Sequence, residues 1–209
     1  MIRLVVADDH PIVREGLKRL IESDPDIQLV GEAVDGHDAV RQAKELCPDV
    51  LLLDVSMPGP HFLEILSQLR SDSPGLRVLV LSLHPEKLYA VRALRNGAAG
   101  YLTKERSAEE VVGAIRHVHQ GGRYVTSTLA ELLAAEVGGD HSRPKHETLS
   151  DREFQVFRSL VGGHSVTEIG KALSLSPKTV STYRARVLKK TRCVSNADLV
   201  RYAADHDLA

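Results

Sequence analysis

The chain has 209 residues and a formal net charge of −1, with 43% hydrophobic residues. This length suits one large domain or two small ones, and so balanced a charge indicates no class of partner. The charge is nevertheless uneven, because residues 148–209 hold ten Lys and Arg against six Asp and Glu, whereas residues 1–147 hold 17 against 22. A basic C-terminal segment predicts an anionic partner for that segment.

The cysteine and hydropathy patterns exclude further classes of protein. Cys47 and Cys193 lie far apart, which argues against a disulfide framework or a CxxC metal site and fits a reducing cytosol. No apolar run approaches the ~20 residues that span a bilayer, and the N-terminus lacks the residue order of a signal peptide. We therefore expect a cytoplasmic protein with no membrane partner.

Short apolar runs alternate with segments of helical periodicity in the N-terminal part of the chain. The predicted strands are Leu4–Ala7, Ile27–Ala33, Val50–Leu53, Val78–Leu81 and Gly100–Leu102. Their hydrophobicity is continuous, which indicates parallel strands covered on both faces, and helical spacing of apolar residues follows each of them. The pattern predicts an α/β fold with a flavodoxin-like, doubly wound five-stranded parallel sheet.

A change of pattern separates this region from an all-α region. An amphipathic stretch, Leu129–Val137, predicts a short helix, and "GGDHSRPKHE" at residues 138–147 has the composition of a linker. Four further helices are predicted at Asp151–Val161, Thr167–Leu173, Pro177–Lys190 and Asn196–Asp205. We therefore expect one domain at residues 1–122, a linker with a short helix at 123–147, and a second domain at 148–209.

Acidic side chains follow two of the predicted strands. Asp8 and Asp9 end the first strand, and Asp54 ends the third. Ligands of open α/β sheets bind beyond the carboxyl ends of the strands, where the strand order reverses. If these two strands are neighbours, the carboxylates converge, and three hard oxygens suit Mg²⁺ with a phosphate co-ligand.

A hydroxyl and an ammonium follow the next two strands, at Ser82 and Lys104. The combination favours phosphoryl transfer, in which Asp54 attacks phosphorus while Mg²⁺ and Lys104 neutralise the equatorial oxygens. Any one of these aspartates alone could be a helix cap, but the joint pattern favours the phosphoryl site. The ten histidines, His10 among them, show no convincing metal-ligand spacing and are interpreted as surface or packing residues.

Residues 1–122 resemble a receiver domain of two-component response regulators. Asp8 and Asp9 match the acidic pair of the family, and Asp54 in "LLLDVSMPG" matches its phosphoacceptor. Ser82 matches the switch hydroxyl, Tyr101 the switch aromatic and Lys104 the lysine, whereas Phe62 stands where the family usually has glycine. The resemblance implies that Asp8, Asp9, Asp54 and the backbone carbonyl of Ser56 form the Mg²⁺ site.

The basic segment has the spacing of a helix-turn-helix. Thr167–Leu173 and Pro177–Lys190 are joined by a short turn, and Val180, Tyr183 and Val187 form an inward stripe on the second helix. Small polar side chains there can reach base edges, and the cations can contact phosphates. The predicted DNA-binding residues are Lys178, Thr179, Ser181, Thr182, Arg184, Ala185, Arg186, Lys189 and Lys190. A solvated helix face is the alternative interpretation of these charges.

The segment from Leu149 onward resembles the LuxR-type DNA-binding domain. "LSDREFQVFRSLVGGHS" matches its first helix, "TVSTYRARV" its recognition helix and "NADLVRYA" its last helix. Ser181 stands where many members have lysine, and Thr191-Arg192 replaces a common Leu-Gly. Joined to a receiver, this domain resembles a NarL/FixJ-type response regulator.

The resemblance implies a transcription factor that a sensor histidine kinase phosphorylates at Asp54 and that binds double-stranded DNA as a homodimer. We expect no enzymatic activity other than its own phosphoryl transfer and dephosphorylation. Two alternatives are a phosphate-independent DNA-binding regulator with a silent receiver and an aspartate-based phosphatase. The phosphatase has a second carboxylate two residues after the nucleophile, and Ser56 at that position argues against it.

Overall fold

The computed structural model describes residues 1–137, 144–206 and 208. The chain divides into two compact units, Met1–Gly138 and Gly139–Ala209. Within the described residues, no helix has the length and apolar character needed to cross a membrane.

The first unit is a parallel five-stranded sheet with helices between its strands. The strands are β1 Ile2–Ala7, β2 Ile27–Ala33, β3 Val50–Asp54, β4 Arg77–Ser82 and β5 Gly100–Thr103. The helices are α1 Pro11–Glu22, α2 Gly36–Leu46, α3 Phe62–Asp72, α4 Glu86–Arg95, α5 Ala108–His119 and α6 Ser127–Val137. The strand order is β2-β1-β3-β4-β5, which confirms the predicted fold class.

The strands are buried on both faces, as their continuous hydrophobicity predicts. Leu4, Val5, Leu51 and Leu53 on the central strands are fully buried, because helices cover each face of a doubly wound sheet. β1 pairs directly with β3 in parallel, with Ala7 opposite Leu53. The carboxyl ends of these two strands therefore meet at one edge, which brings the acidic residues that follow them together.

The chain that follows α5 passes very close to the start of β5, at Gly100. Tyr124 forms an isolated parallel bridge with Gly100, and its amide donates to the carbonyl of Ala99 at 2.8 Å. A Cβ at residue 100 would lie 2.8 Å from both the Cβ and the carbonyl oxygen of Tyr124. Glycine is therefore required at the start of β5 if the chain is to reach α6 along this path.

We expect Gly100→Ala to lower the free energy of unfolding by about 1 to 3 kcal/mol, the usual cost of overpacking a filled site. Gly113→Ala on α5 is the matched control, because nothing lies within 4 Å of its added Cβ. Alanine in a helix interior is favoured over glycine by up to about 1 kcal/mol. Urea unfolding of both variants measures the difference, and equal changes would contradict the steric argument.

The second unit is all helical. After a 3₁₀-helix at Lys145–Thr148, its helices are α7 Asp151–Val161, α8 Val166–Ala172, α9 Pro177–Thr191 and α10 Asn196–Asp205. The predicted bounds of α7 and α10 are confirmed, and those of α8 and α9 differ by one residue. The 3₁₀-helix lies in the segment predicted as a linker, of which residues 138–143 fall outside the described residues.

Local capping fixes where α7 and α9 begin. Ser150 accepts from the amide of Glu153 and forms a reciprocal capping box with it, as the sequence predicts. Ser176 caps α9 through the amide of Thr179, with Pro177 at the first helical position. At the other end of α9, Arg192 takes the left-handed conformation with φ of 59°.

Helices α8 and α9 form a helix-turn-helix around a close backbone approach. A Cβ on Gly170 would lie 2.8 Å from the carbonyl oxygen of Leu175 in the turn, so glycine lets the turn fold back onto α8. Val180 and Val187 of α9 are fully buried, and Tyr183 between them is half-buried. The predicted inward stripe therefore anchors α9 and leaves its opposite face exposed.

Candidate functional site

The three predicted aspartates converge at the carboxyl edge of the sheet. Asp8 and Asp54 are 1% and 2% exposed, and Asp9 lies nearer the surface. The Lys104 ammonium, which follows β5, lies 2.6 Å from Asp8 Oδ2 and 3.2 Å from Asp54 Oδ2. One buried cation therefore faces two buried carboxylates, as the positions after the strands predict.

The electrostatics of the pocket disfavour the charged form of Asp54. Burial raises the pKa of this carboxyl above its usual range, the Lys104 ammonium opposes the rise, and the neighbouring Asp8 adds to it. One cation is thus too little to balance the desolvated carboxylates. A pocket of this kind favours the arrival of further positive charge.

The converging carboxylate oxygens identify where such charge would bind. Within the described residues, Asp8 Oδ2, Asp9 Oδ1 and Asp54 Oδ2 are buried, and the groups that face them are the Lys104 ammonium and the His10 ring. Hard carboxylate oxygens are the ligands that Mg²⁺ prefers. The residues present therefore fit a divalent cation.

The structure adds one residue to this cluster that the sequence interpretation assigned to the surface or to packing. Donor atoms of Asp8, Asp9, His10 and Asp54 all lie within 4.8 Å of one another. His10 directly follows the acidic pair, and this adjacency is the sequence signal that could have indicated its place in the cluster. Its side chain could nevertheless point either way, because it stands at the boundary between a strand and a helix.

Ser82 and Tyr101 are connected through a single residue of the loop after β4. Ser82 Oγ accepts from the amide of His84 at 3.0 Å, and the Tyr101 hydroxyl donates to the carbonyl of His84 at 3.0 Å. Both side chains are fully buried, and burial raises the pKa of the Tyr101 phenol far above its usual value. The hydroxyl beside the pocket and the aromatic ring are therefore joined by two hydrogen bonds.

Ser56 lies two residues beyond Asp54 in the loop that follows β3. Ser56 is exposed, so the loop is open to solvent beside Asp54. Its predicted role as a carbonyl ligand stays a prediction.

In the second unit, α9 presents a polar and basic face. Lys178, Ser181, Thr182 and Ala185 are exposed, and their spacing places them on one side of the helix. Arg186 and Lys189 are exposed beside them. Across residues 1–137, 144–206 and 208, neither Lys178 nor Lys189 forms an ion pair, so their charges remain available to an anion.

Four of the predicted DNA-binding side chains form hydrogen bonds or ion pairs within the unit, among them Thr182, whose hydroxyl donates to the carbonyl of Lys178 at 3.1 Å. Arg184 Nε donates to Asn196 Oδ1 at 2.8 Å, and the Thr179 hydroxyl lies 2.8 Å from Ser176 Oγ. The Lys190 ammonium lies 2.6 Å from Glu153 Oε2. Burial opposes ionisation of Glu153, yet Lys190 holds its pKa below the usual range. Lys190 therefore ties α9 to α7.

Comparison with known proteins defines the class to which these two units belong. Residues 4–116 match the family "Response regulator receiver domain", and residues 147–203 match "Bacterial regulatory proteins, luxR family". The chain belongs to the response regulators that join a receiver domain to a LuxR-type DNA-binding domain.

Full-length relatives share this organisation. Response regulator GacA of Pseudomonas aeruginosa is 39% identical over 210 residues, which cover 100% of this chain and 98% of GacA. Response regulator UvrY of Escherichia coli strain K12 is 36% identical over 209 residues, covering 100% and 96%.

Solved structures agree in fold. RcsB from Salmonella enterica serovar Typhimurium, bound to promoter rprA in the presence of phosphomimetic BeF₃⁻, has a TM-score of 0.76 at 25% identity, covering 97% of this chain and 98% of RcsB. The receiver domain of the putative response regulator NarL from Mycobacterium tuberculosis has a TM-score of 0.56 at 40% identity and covers 57% of this chain and 97% of that chain.

Proposed function

We propose that the chain is a transcription factor switched by Mg²⁺-dependent phosphorylation of Asp54, with a sensor histidine kinase as the phosphodonor. The observation that carries the proposal is the placement of Asp54, buried at the end of β3 beside the Lys104 ammonium at 3.2 Å. In this proposal the chain acts on no substrate other than its own aspartate.

The pocket residues have distinct roles in the transfer. A carboxylate oxygen of Asp54 attacks the phosphorus of a phosphohistidine, so that a P–O bond forms while the P–N bond breaks and the histidine leaves. Lys104 neutralises charge that builds on the equatorial oxygens. Asp8, Asp9, Asp54 and the carbonyl of Ser56 would hold Mg²⁺, which supplies further positive charge when bound.

The bonds around His84 offer a path from the new phosphoryl group to the surface. A phosphoryl oxygen on Asp54 is an acceptor that draws the Ser82 hydroxyl, and Ser82 Oγ at present accepts from the His84 amide. Any shift of this loop also reaches Tyr101, which donates to the His84 carbonyl. A local charge change is thereby converted into a rearrangement of the loop before α4.

The exposed face of α9 is the proposed DNA-recognition surface. The small side chains of Ser181, Thr182 and Ala185 can approach base edges, and the flanking cations contact phosphates. The promoter complex of RcsB supports this assignment, because its fold matches over nearly the whole chain. We further propose that phosphorylated homodimers bind paired half-sites about one helical turn apart.

Intact-mass measurement of the purified chain tests the switch. The protein is incubated with a small phosphodonor such as acetyl phosphate, with Mg²⁺ or with a chelator. The proposal expects a gain of one phosphoryl group only with Mg²⁺. No gain under either condition would instead favour a phosphate-independent regulator with a silent receiver.

The salt dependence of DNA binding tests which cations of α9 contact phosphates. We expect Lys189→Ala to weaken binding to all sequences and to reduce the salt slope by about 0.9, the value for one lost phosphate contact. Arg184→Ala should also weaken binding and flatten the slope, if the Asn196 contact yields to a phosphate.

Lys190→Ala is the matched control, because its ammonium is held by Glu153 at 2.6 Å. Its main effect should be lower stability of the second unit, with a nearly unchanged salt slope. Electrophoretic mobility or fluorescence anisotropy over a salt series gives the slopes. An unchanged slope in Lys189→Ala would mean that this lysine lies on a solvated helix face.

A further inference from the structure

The His10 side chain points toward the acidic cluster and does not cap helix α1. It is the N-cap residue of α1, yet its side chain makes no capping hydrogen bond. A residue at this position commonly accepts from a backbone amide of the first turn. The His10 Nδ1 instead lies 2.9 Å from Asp9 Oδ1 and 3.3 Å from Asp8 Oδ1.

The geometry of the cluster fits a single ion. One donor atom each from Asp8, Asp9, His10 and Asp54 lies within 4.8 Å of all the others. Ligands at metal–ligand distances of about 2.0–2.2 Å are separated by at most about 4.4 Å, so small side-chain shifts would seat all four donors. Among the described residues, this is the only group of His, Cys, Asp and Glu side chains with such spacing.

Imidazole changes which ions such a site prefers. Mg²⁺ favours oxygen ligands and retains waters, and gains little from a nitrogen donor. First-row divalent transition ions accept imidazole readily, and their affinities rise from Mn²⁺ toward Cu²⁺. A histidine beside three carboxylates therefore favours transition ions over Mg²⁺ more than a purely acidic pocket would.

We propose that His10 is a metal ligand that makes this pocket a site for first-row divalent transition ions, with Nδ1 as the nitrogen donor beside the carboxylates. The inference rests on the proposed cation-binding function of the pocket and extends it to a class of ion. In the opposing interpretation, His10 is only an ion-pair partner of Asp9 and competes with any bound cation.

Electron spin echo spectroscopy of Mn²⁺ tests the proposal without reference to phosphorylation. One equivalent of Mn²⁺ is added to the full chain. We expect modulation from a directly bound ¹⁴N nucleus in the wild type and its loss in His10→Ala. His119→Ala is the matched control, because His119 is exposed on α5 and should leave the modulation unchanged.

Calorimetry then measures the selectivity. The affinity for Co²⁺ should fall by at least about tenfold in His10→Ala, whereas the affinity for Mg²⁺ should change less than twofold. The chain has ten histidines, and those outside the pocket can also bind Co²⁺. The affinity for the pocket is therefore taken only from the Co²⁺ that excess Mg²⁺ displaces.

The outcomes distinguish this inference from the proposed function. Mg²⁺ binding without a nitrogen signal would overturn the role of His10 and leave the phosphorylation switch intact. A rise in the affinity for both ions in His10→Ala would also overturn it, because His10 would then be a competing cation. Failure of the pocket to bind any divalent ion would overturn both.

Discussion

Replacing Lys104 by methionine is expected to lower the free energy of unfolding of the receiver by about 3 to 5 kcal/mol at neutral pH, the usual cost of removing one partner of a buried ion pair. The Lys104 side chain is 6% exposed and faces the carboxylates of both Asp8 and Asp54. Methionine keeps much of the volume but leaves two buried negative charges without a cation.

The loss of stability should depend on pH with a definite sign. Burial already raises the pKa of Asp54 and Lys104 opposes that rise, so without Lys104 the pKa of Asp54 lies further above its unfolded value and the folded state binds its proton more tightly. The stability of the variant is then highest at acid pH and falls as pH rises above about 4. Urea unfolding at several pH values measures this trend, and an equal loss at every pH would assign the effect to packing.

Lys44→Met is the matched control for this substitution. Lys44 lies 2.7 Å from Asp72, but both side chains are more than a third exposed, and surface pairs contribute at most about 1 kcal/mol. The same Lys104 variant should also accept phosphate about 10²–10³ times more slowly, because it lacks the charge that stabilises the transition state. Normal phosphorylation of a folded Lys104→Met protein would remove Lys104 from the proposed mechanism.

Replacing Asp54 by asparagine should abolish phosphorylation and at the same time stabilise the protein. The nucleophilic oxygen is lost, so intact mass should show no added phosphoryl group under any condition. The fold should persist, because asparagine has the same shape and carries no charge to desolvate. A phosphoryl group on the variant would place the phosphoacceptor elsewhere.

The stabilisation follows from the raised pKa of Asp54, for which burial is the largest cause. A raised folded pKa favours the fold at low pH, and this contribution is lost as pH rises through the folded pKa. Asp54→Asn should therefore exceed the wild type in melting temperature by a margin that grows with pH. Scanning calorimetry without divalent ions measures the margin, and a melting temperature below that of the wild type at neutral pH would contradict the electrostatic argument.

Asp72→Asn is a control in which the melting temperature should change in the opposite direction. A hydrogen bond from Lys44 holds the pKa of Asp72 below its usual value, so its charged form is favoured in the folded state. Neutralising it should lower the melting temperature slightly at neutral pH and have no effect at acid pH.

Periodicity predicted most of the secondary structure, because each signal is local. The strand Ile27–Ala33 and the helices Asp151–Val161 and Asn196–Asp205 have the predicted bounds. The errors lie at element ends, where capping and tertiary contacts decide. Strand β1 extends two residues before its prediction because Ile2 and Arg3 pair with Ile27 and Gln28, a contact that no local pattern contains.

The sequence by itself determined the class of protein and the composition of its acidic pocket. Aspartates after the first and third strands, a hydroxyl after the fourth and a lysine after the fifth define the pocket, because the carboxyl ends of parallel strands share one edge. The repeat of apolar residues in α9 likewise determined which face of that helix is buried.

Only the tertiary structure decided how individual side chains are used. It turned His10 toward the carboxylates, joined Ser82 and Tyr101 through His84, and engaged Arg184 and Lys190 within their own unit. The contacts of His10 and Ser82 depend on rotamers beside close neighbours in sequence, whereas Tyr101, Arg184 and Lys190 contact partners from 12 to 37 residues away. Periodicity reports the face on which a residue lies, whereas partners across the fold determine which atoms its side chain contacts.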